Sequence, residues 1–530
     1  MPRDVFGTAR PVLHGSFAEA PGQTMTSGED FTAKRPPSER EITVRLTDLA
    51  ASAADALAWA REQVADATTP TVRLGVTGLS RAGKTVFITA FVRALTVAGR
   101  LPYLGASAEG RLIAAHLEPQ PDDAVPRFDY EAHVARLEGR PPEWPDSTRH
   151  ISELRVTLHY APSGALAKAL GTRRLHVDIV DYPGEWLLDL ALLEKPFAVW
   201  SAEALAEARS PRRAVAAQPF LEALAAADVK AAADEQATIR LAAAFTAYLA
   251  AVRAGQVGAA AGLAMIGPGR FLMPGELAGS PLLTFAPLDV AGEPRKGSLA
   301  AMMARRYESY KEHVVRPFFR DHFARLDRQI VLVDALAALD GGREAIDDLT
   351  RALEASLQAF RPGTANLLAR LVGINRVDRI LFAATKADHL PAASHDRLEA
   401  VLRVITDKAA ERARFAGAEV GVAALAALRA TREAEARSGG ETLAVIRGTP
   451  LAGERIAGKA FDGTTEAAIF PGDLPADPAT ALTAAAPSNG SVRIVRFRPP
   501  LLASGEAEPE AWPHVRLDRA IEFLIGDRLA

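Results

Sequence analysis

From Val72 to Thr77, apolar Val72, Leu74 and Val76 alternate with Arg73, Gly75 and Thr77 in a short β-rich run that predicts a strand. After a glycine-containing loop, Phe87, Phe91 and Leu95 recur at helical spacing, and Gly99 marks a stop. Two more strands are predicted over Ile151–Tyr160 and Arg174–Asp181, joined as a hairpin through Pro162–Thr172. Further buried-type strands are predicted at Gln329–Ala335, Val377–Ala384 and Glu419–Ala424. Between them lie two amphipathic helices. One carries Ile346, Leu349, Leu353, Leu357 and Phe360 on one face and stops at Arg361-Pro362-Gly363; the other carries Leu398, Val401, Leu402 and Ile405. Strands alternating with helices imply an α/β fold, a mostly parallel sheet with helices on both faces.

Three stretches break the alternation. Residues 1–40 mix Gly, Pro, Ser, Thr and charge without period and are expected to form a disordered or extended arm. Residues 41–190 begin with a helical pattern (Val44, Leu46, Leu49, Leu57, Trp59, Val64) expected to pack on the domain that follows. Residues 191–328 are Ala-rich, with turn signals at Ser210-Pro211 and Gly267-Pro268-Gly269, and read as a large helical insertion. The α/β domain whose first part occupies the rest of 41–190 resumes over 329–438. Residues 439–530 read as a C-terminal α+β extension, with strands at Thr442–Arg447 and Ser491–Phe497 and a closing helix from Leu517 to Leu529.

Composition narrows the classes. Of 530 residues, 48% are apolar and 24% charged, as in a globular protein. The net charge of −3 gives no general attraction to nucleic acid. With no cysteine, disulfides, thiolate zinc sites and cysteine nucleophiles are excluded, and a reducing compartment fits. No signal peptide is expected, because Arg3 and Asp4 bring charge early. Leu241–Gly269 comes nearest to a membrane segment, but Arg253 and Gln256 interrupt it, so a buried helix followed by a loose Ala/Gly connection is predicted and no transmembrane segment. Peripheral lipid contact through this stretch or the arm stays open.

The chemistry gathers in a few loops. Gly78-Leu79-Ser80-Arg81-Ala82-Gly83-Lys84-Thr85 matches G-x-x-x-x-G-K-T between a strand and a helix. Its two glycines let the main-chain amides of Ser80, Arg81, Ala82, Gly83, Lys84, Thr85 and Val86 turn inward around a polyphosphate at a helix N-terminus. Lys84 would reach the β- and γ-phosphates, and the Thr85 hydroxyl would ligate magnesium. Asp181-Tyr182-Pro183-Gly184-Glu185-Trp186 ends an apolar strand. Asp181 would hold magnesium through water, the Gly184 amide would sit by the γ-phosphate, and Glu185 would orient the attacking water or cap the next helix. In Trp144-Pro145-Asp146-Ser147-Thr148-Arg149, Thr148 is the candidate to close over the γ-phosphate and magnesium, with Ser147 as competitor. Arg81 either adds a weak cation to the site or faces solvent.

Thr385-Lys386-Ala387-Asp388 ends a strand and follows the other two motifs in order. Guanine presents two parallel donors that one carboxylate accepts, so Asp388 would select it while the Lys386 stem lies over the base. A backbone amide at Arg429 or Ala430, within Leu428-Arg429-Ala430-Thr431, would meet the guanine carbonyl, or this is an ordinary strand exit. The eleven His residues show no metal-ligand spacing. Tyr307 and Tyr310, among Arg305, Arg306 and Lys311, read as a solvated helix face, with contact to a partner or phosphate as the sharper alternative.

The ordered set resembles the translation-factor-type P-loop GTPases, with Thr385 where Asn is commoner. More narrowly, GLSRAGKT, DYPGEW, TKAD, WPDST, ARRYESYKEHVVRPFF and IVLVDAL resemble the YcjX-like family of bacterial GTPases. That resemblance implies a P-loop NTPase fold and a cytoplasmic, stress-associated enzyme hydrolysing GTP to GDP with Mg2+. It also implies work near the inner membrane with a membrane-protein partner. A binding scaffold with negligible hydrolysis, or an ATPase, remains the alternative.

Overall fold

The computed structural model describes residues 69–530, apart from 79–81, 98–100, 147–149, 165–170, 255–266, 291, 357–376, 439, 457, 484–491 and 503–510. The N-terminal arm and helix, Ser80, Arg81, Ser147, Thr148, the Ala/Gly connection after Ala254 and the stop at Arg361-Pro362-Gly363 lie outside the described residues.

A seven-stranded sheet organises the chain. Its strands are β1 (Thr71–Gly78), β2 (Leu112–Glu118), β3 (Ser152–Tyr160), β4 (Arg173–Asp181), β5 (Arg328–Val333), β6 (Arg379–Ala384) and β7 (Glu419–Ala424), in the order β2-β3-β4-β1-β5-β6-β7. β4, β1, β5, β6 and β7 run parallel; β3 pairs antiparallel with both β4 and β2. The β3–β4 pair is the expected hairpin, in register from Ser152↔Asp181 to Tyr160↔Arg173. β2 has no counterpart in the sequence prediction. It is an edge strand whose positions are exposed or half-buried, so no clean alternation marks it.

Among the described residues the helices of eight or more residues are α1 (Lys84–Thr96), α2 (Tyr130–Glu138), α3 (Phe197–Ala208), α4 (Ala214–Ala225), α5 (Glu235–Ala254), α6 (Leu299–Tyr310), α7 (Arg343–Ser356), α8 (His395–Phe415) and α9 (Leu517–Ile525). Alternate residues of β5 serve two cores. Ile330 and Leu332 pack with Phe87 and Phe91 of α1 and Ile521 and Leu524 of α9. Val331 and Val333 pack with Ile346 and Leu349 of α7 and Leu398 and Leu402 of α8. This accounts for the unbroken apolar run of β5, since a parallel strand with helices on both faces has no wet side.

Between β4 and β5 the described residues form mainly helices, with an aromatic core of their own. Trp200 stacks on Tyr307 with centroids 4.9 Å apart, and Phe245 and Phe285 meet Trp200 edge-on. The expected solvated face at Tyr307 and Tyr310 is therefore corrected: both rings are fully buried in this core. Arg306 turns away to pair with Glu235 on α5. Helix α5 is long and apolar enough to cross a membrane by length and composition alone. Its Leu241, Phe245, Tyr248, Leu249 and Val252 are instead packed inside this core.

Beyond β7, β8 (Arg432–Ser438), β9 (Glu441–Gly448) and β10 (Ala467–Ile469) form a small antiparallel sheet in the order β10-β9-β8. The predicted strand at Ser491–Phe497 does not form as one. Among its described residues, backbone bonds go to separate loops: Arg493 N–H donates to Pro471 and the Arg496 carbonyl accepts from Leu451, with one isolated bridge between Phe497 and Pro450. The closing helix ends at Ile525, and Gly526–Leu529 continues as a tighter turn.

Candidate functional site

The loops that follow β1, β4, β6 and β7, with Leu332 near the end of β5, open into one cavity of about 440 Å³. Ala82, Gly83, Lys84, Thr85 and Val86 line it, with Glu185, Lys386, Asp388 and Ala430. Motifs separated by up to 350 residues thus share one space, as expected for ligands in parallel sheets.

Gly78 ends β1 beside Leu332 of β5. A Cβ there would lie 2.8 Å from the Leu332 carbonyl oxygen, so only glycine lets the loop leave the sheet at this point. Gly83 has φ +85° and precedes α1, while a Cβ there would meet nothing within 4 Å; conformation, not space, requires glycine. Lys84 curls back, its ammonium donating to the Gly78 carbonyl at 3.3 Å. The first amides of α1 have no partner within the helix and the dipole is positive there, so this end suits an anion.

The Thr85 hydroxyl donates to the Asp146 carbonyl at 3.3 Å. That contact brings the segment leading into Ser147 and Thr148 to the phosphate-loop threonine. Asp181 ends β4 opposite Val76 of β1 and is 1% exposed. Thr85 and Asp181 offer only oxygen donors, and no cluster of three or more His, Asp or Glu occurs among the described residues. This set fits magnesium, which takes one or two protein oxygens and keeps its waters, and not a metal needing a full protein cage.

Gly184 and Glu185 lie in the short turn Gly184–Trp186. The following helix, Leu187–Leu190, has no side-chain capping bond at its N-cap, Trp186. The Glu185 carboxylate pairs with Arg253 at 2.7 Å, a partner from the insertion that no motif signalled. The same turn is gripped further along. Gly269 packs so tightly that a Cβ would fall 1.9 Å from the Glu185 carbonyl oxygen. Arg270 lies over the Trp186 ring, 3.2 Å from its centroid. Asp189 accepts the amides of Gly269 and Arg270 at 2.6 and 3.3 Å and the Tyr310 hydroxyl at 2.6 Å. Burial pushes the Asp189 carboxyl up to about 6, against the hydrogen bonds from Tyr310 and Gly269 that favour its charge.

At the other end of the cavity, Asp388 is 4% exposed. Its Oδ2 accepts the amides of Ala430 at 2.7 Å and Thr431 at 3.3 Å. The Arg429 amide donates to the Pro513 carbonyl at 2.8 Å. The amides expected to meet a base carbonyl are thus already engaged, and they brace the Asp388 loop. Ala426, Ala427 and Leu428, just upstream, line the cavity. Lys386 stands at φ +60° with its ammonium paired to Asp334 at the tip of β5. Thr385 is tied to the same strand: its amide donates to the Val333 carbonyl at 2.9 Å and its hydroxyl at 3.3 Å.

The match to the model of the YcjX-like family, DUF463, runs over residues 72–529. The chain belongs to the YcjX-like family. Two relatives carry the name Ras-like GTPase YcjX. That of Escherichia coli (strain K12) is 38% identical over 473 residues, covering 86% of this chain and 96% of the relative. That of Shewanella oneidensis is 35% identical over 484 residues, covering 86% and 94%. A solved complex titled "Signal recognition particle receptor SRb-GTP/SRX complex from Chaetomium thermophilum" matches at 13% identity over 69% of this chain and 95% of that one, with a TM-score of 0.23, too low to carry an argument. The sheet order and the phosphate loop at the tip of β1 give this YcjX-like chain the α/β fold of the P-loop GTPases.

Two residues near the Asp388 end of the cavity went unmarked in the sequence, one of them from the C-terminal extension. Phe497 lines the cavity, and its carbonyl accepts the Trp144 indole N–H at 2.7 Å. His389, fully buried and with its imidazole pushed below the usual range by that burial, meets the Phe497 ring edge-on at 5.1 Å. The only hint was an aromatic at each end of this contact.

Proposed function

We propose that this chain binds a guanine nucleotide with magnesium and hydrolyses GTP to GDP and phosphate, acting as a nucleotide switch. One observation carries the reading: a buried carboxylate, Asp388, is held by two backbone amides in the same cavity that receives Lys84 and Thr85. Polyphosphate and purine edge would be met at opposite ends of one space. The names of the two relatives support the same assignment.

Each residue then has a task. The amides at the start of α1 and the Lys84 ammonium hold the β- and γ-phosphates. Thr85 and Asp181 hold the metal, joined by Thr148 when its loop closes. Magnesium, when bound, neutralises charge on the phosphate oxygens. The Gly184 amide approaches the γ-phosphate, and Glu185 orients water. Asp388 accepts two donors from guanine, with its carboxylate held in place through Oδ2 by the amides of Ala430 and Thr431. Lys386, anchored on Asp334, lays its stem along the base.

Titration calorimetry with GTP, GDP and ATP, with and without magnesium, tests this. Guanine nucleotides bind, ATP binds at least a hundredfold more weakly, and Lys84→Ala removes binding. Equal affinity for ATP, or an unchanged Lys84→Ala, overturns the reading.

A further inference from the structure

Glu185 poses an electrostatic problem. A carboxylate beside a triphosphate is repelled unless a cation accompanies it, and burial sharpens the cost because little solvent screens the pair. The Glu185 side chain is 3% exposed. Arg253 supplies the missing charge. It stands in the last turn of α5, 24% exposed, with one guanidinium nitrogen 2.7 Å from Glu185 Oε1 and another 3.4 Å from the Met273 sulfur. Both members of the pair line the cavity that Lys84 and Thr85 line.

The pair is also held from behind. Gly269 lies against the Glu185 backbone, Arg270 covers Trp186, and Asp189 gathers Gly269, Arg270 and Tyr310. Helix α5 itself is locked by Phe245, Tyr248 and Leu249 in the aromatic core. Arg253 is therefore carried by a packed element and not by a free surface side chain.

We propose that Arg253 is a positioning residue for GTP hydrolysis: it neutralises and aims Glu185, so that the helical insertion completes the catalytic end of the site in cis. This rests on the hydrolase reading above. In the step concerned, the water oxygen bonds to the γ-phosphorus as the bond to the β–γ bridging oxygen breaks. The bridging oxygen leaves with its electron pair on GDP, and the water proton passes to the phosphate formed. The guanidinium keeps the Glu185 carboxylate in place while this water is oriented.

The test uses the full chain and separates binding from turnover. GDP affinity is measured by calorimetry, and single-turnover GTP hydrolysis with magnesium is followed for wild type, Arg253→Ala, Arg253→Lys, Glu185→Gln and the double variant Arg253→Ala/Glu185→Gln. Arg253→Ala slows hydrolysis at least tenfold, with GDP affinity within threefold of wild type. Arg253→Lys, which keeps the charge, recovers at least threefold of that loss. In the Glu185→Gln background, Arg253→Ala costs less than threefold more, because the two act as a unit. A wild-type rate in Arg253→Ala overturns the inference, as does an equal loss in both backgrounds. Wild type that binds GTP without hydrolysing it removes the hydrolase reading instead. If Arg253→Ala lowers the melting temperature, Arg253→Gln, which keeps length and a planar head, takes its place under the same criteria.

Discussion

The Tyr310 hydroxyl donates to Asp189 at 2.6 Å, joining the end of α6 to the helical turn that follows Glu185 and Trp186. Both groups are fully buried, so this bond has no water to replace it. Tyr310→Phe leaves a buried acceptor short of a partner and costs about 1–3 kcal/mol. Urea denaturation measures the loss; a change under ~0.5 kcal/mol would show that the amides of Gly269 and Arg270 suffice for Asp189.

Asp189 also sets a pH dependence. Its carboxyl is raised from 3.8 to about 6 in the folded chain, so between those values the folded state holds more protons than the unfolded one. This group's contribution to stability is greatest below pH ~4, declines as pH rises and levels off above ~6. Asp189→Asn removes that slope. The stability difference between variant and wild type shifts in the variant's favour by roughly 2–3 kcal/mol from pH 4 to 7. A difference independent of pH refutes the assignment.

Two glycines of the phosphate loop fail for different reasons when replaced by alanine. At Gly78 the new methyl collides with main chain of β5, which cannot swing aside. At Gly83 it meets open space, and the cost is the left-handed conformation, about 1 kcal/mol. Gly78→Ala is therefore the more destabilising in thermal melts of the nucleotide-free protein. Gly83→Ala affects nucleotide affinity more than folding.

Asp388→Asn replaces one acceptor oxygen by a donor. Xanthine carries a carbonyl where guanine carries its exocyclic amine, so the variant loses GTP and gains xanthosine triphosphate. Competition binding reads a fall for GTP of at least a hundredfold, about 3 kcal/mol. Equal affinity of the variant for GTP places the base elsewhere.

The Trp144 indole N–H bond to the Phe497 carbonyl holds the segment entering the Thr148 loop against the C-terminal extension. Trp144→Phe keeps most of the packing and removes the bond. Faster dissociation of a fluorescent GDP analogue, by about threefold to tenfold, is expected from losing a hydrogen bond of ~1 kcal/mol.

What could be foreseen from sequence followed from local pattern. The parallel strands were visible because burial on both faces writes itself as an apolar run, as in Ile330–Val333. The phosphate loop was visible because Gly78, Gly83 and Lys84 are needed at fixed spacing. β2 was hidden because an edge strand with mixed exposure has no period to read. The burial of Tyr307 and Tyr310 is not legible because flanking Arg305, Arg306 and Lys311 mask an apolar face whose partners, such as Trp200 and Phe285, lie on other segments of the chain. Arg253 and Phe497 reach the cavity, and Asp334 reaches Lys386, through tertiary packing alone, and no spacing rule connects them to it.

The absent side chain at Gly269 has a mechanical consequence. With two stretches of main chain touching there, the turn after Asp181 has no slack toward the insertion. A rearrangement of that turn, such as the proposed nucleotide switch requires, would therefore press on the helical insertion directly through main chain.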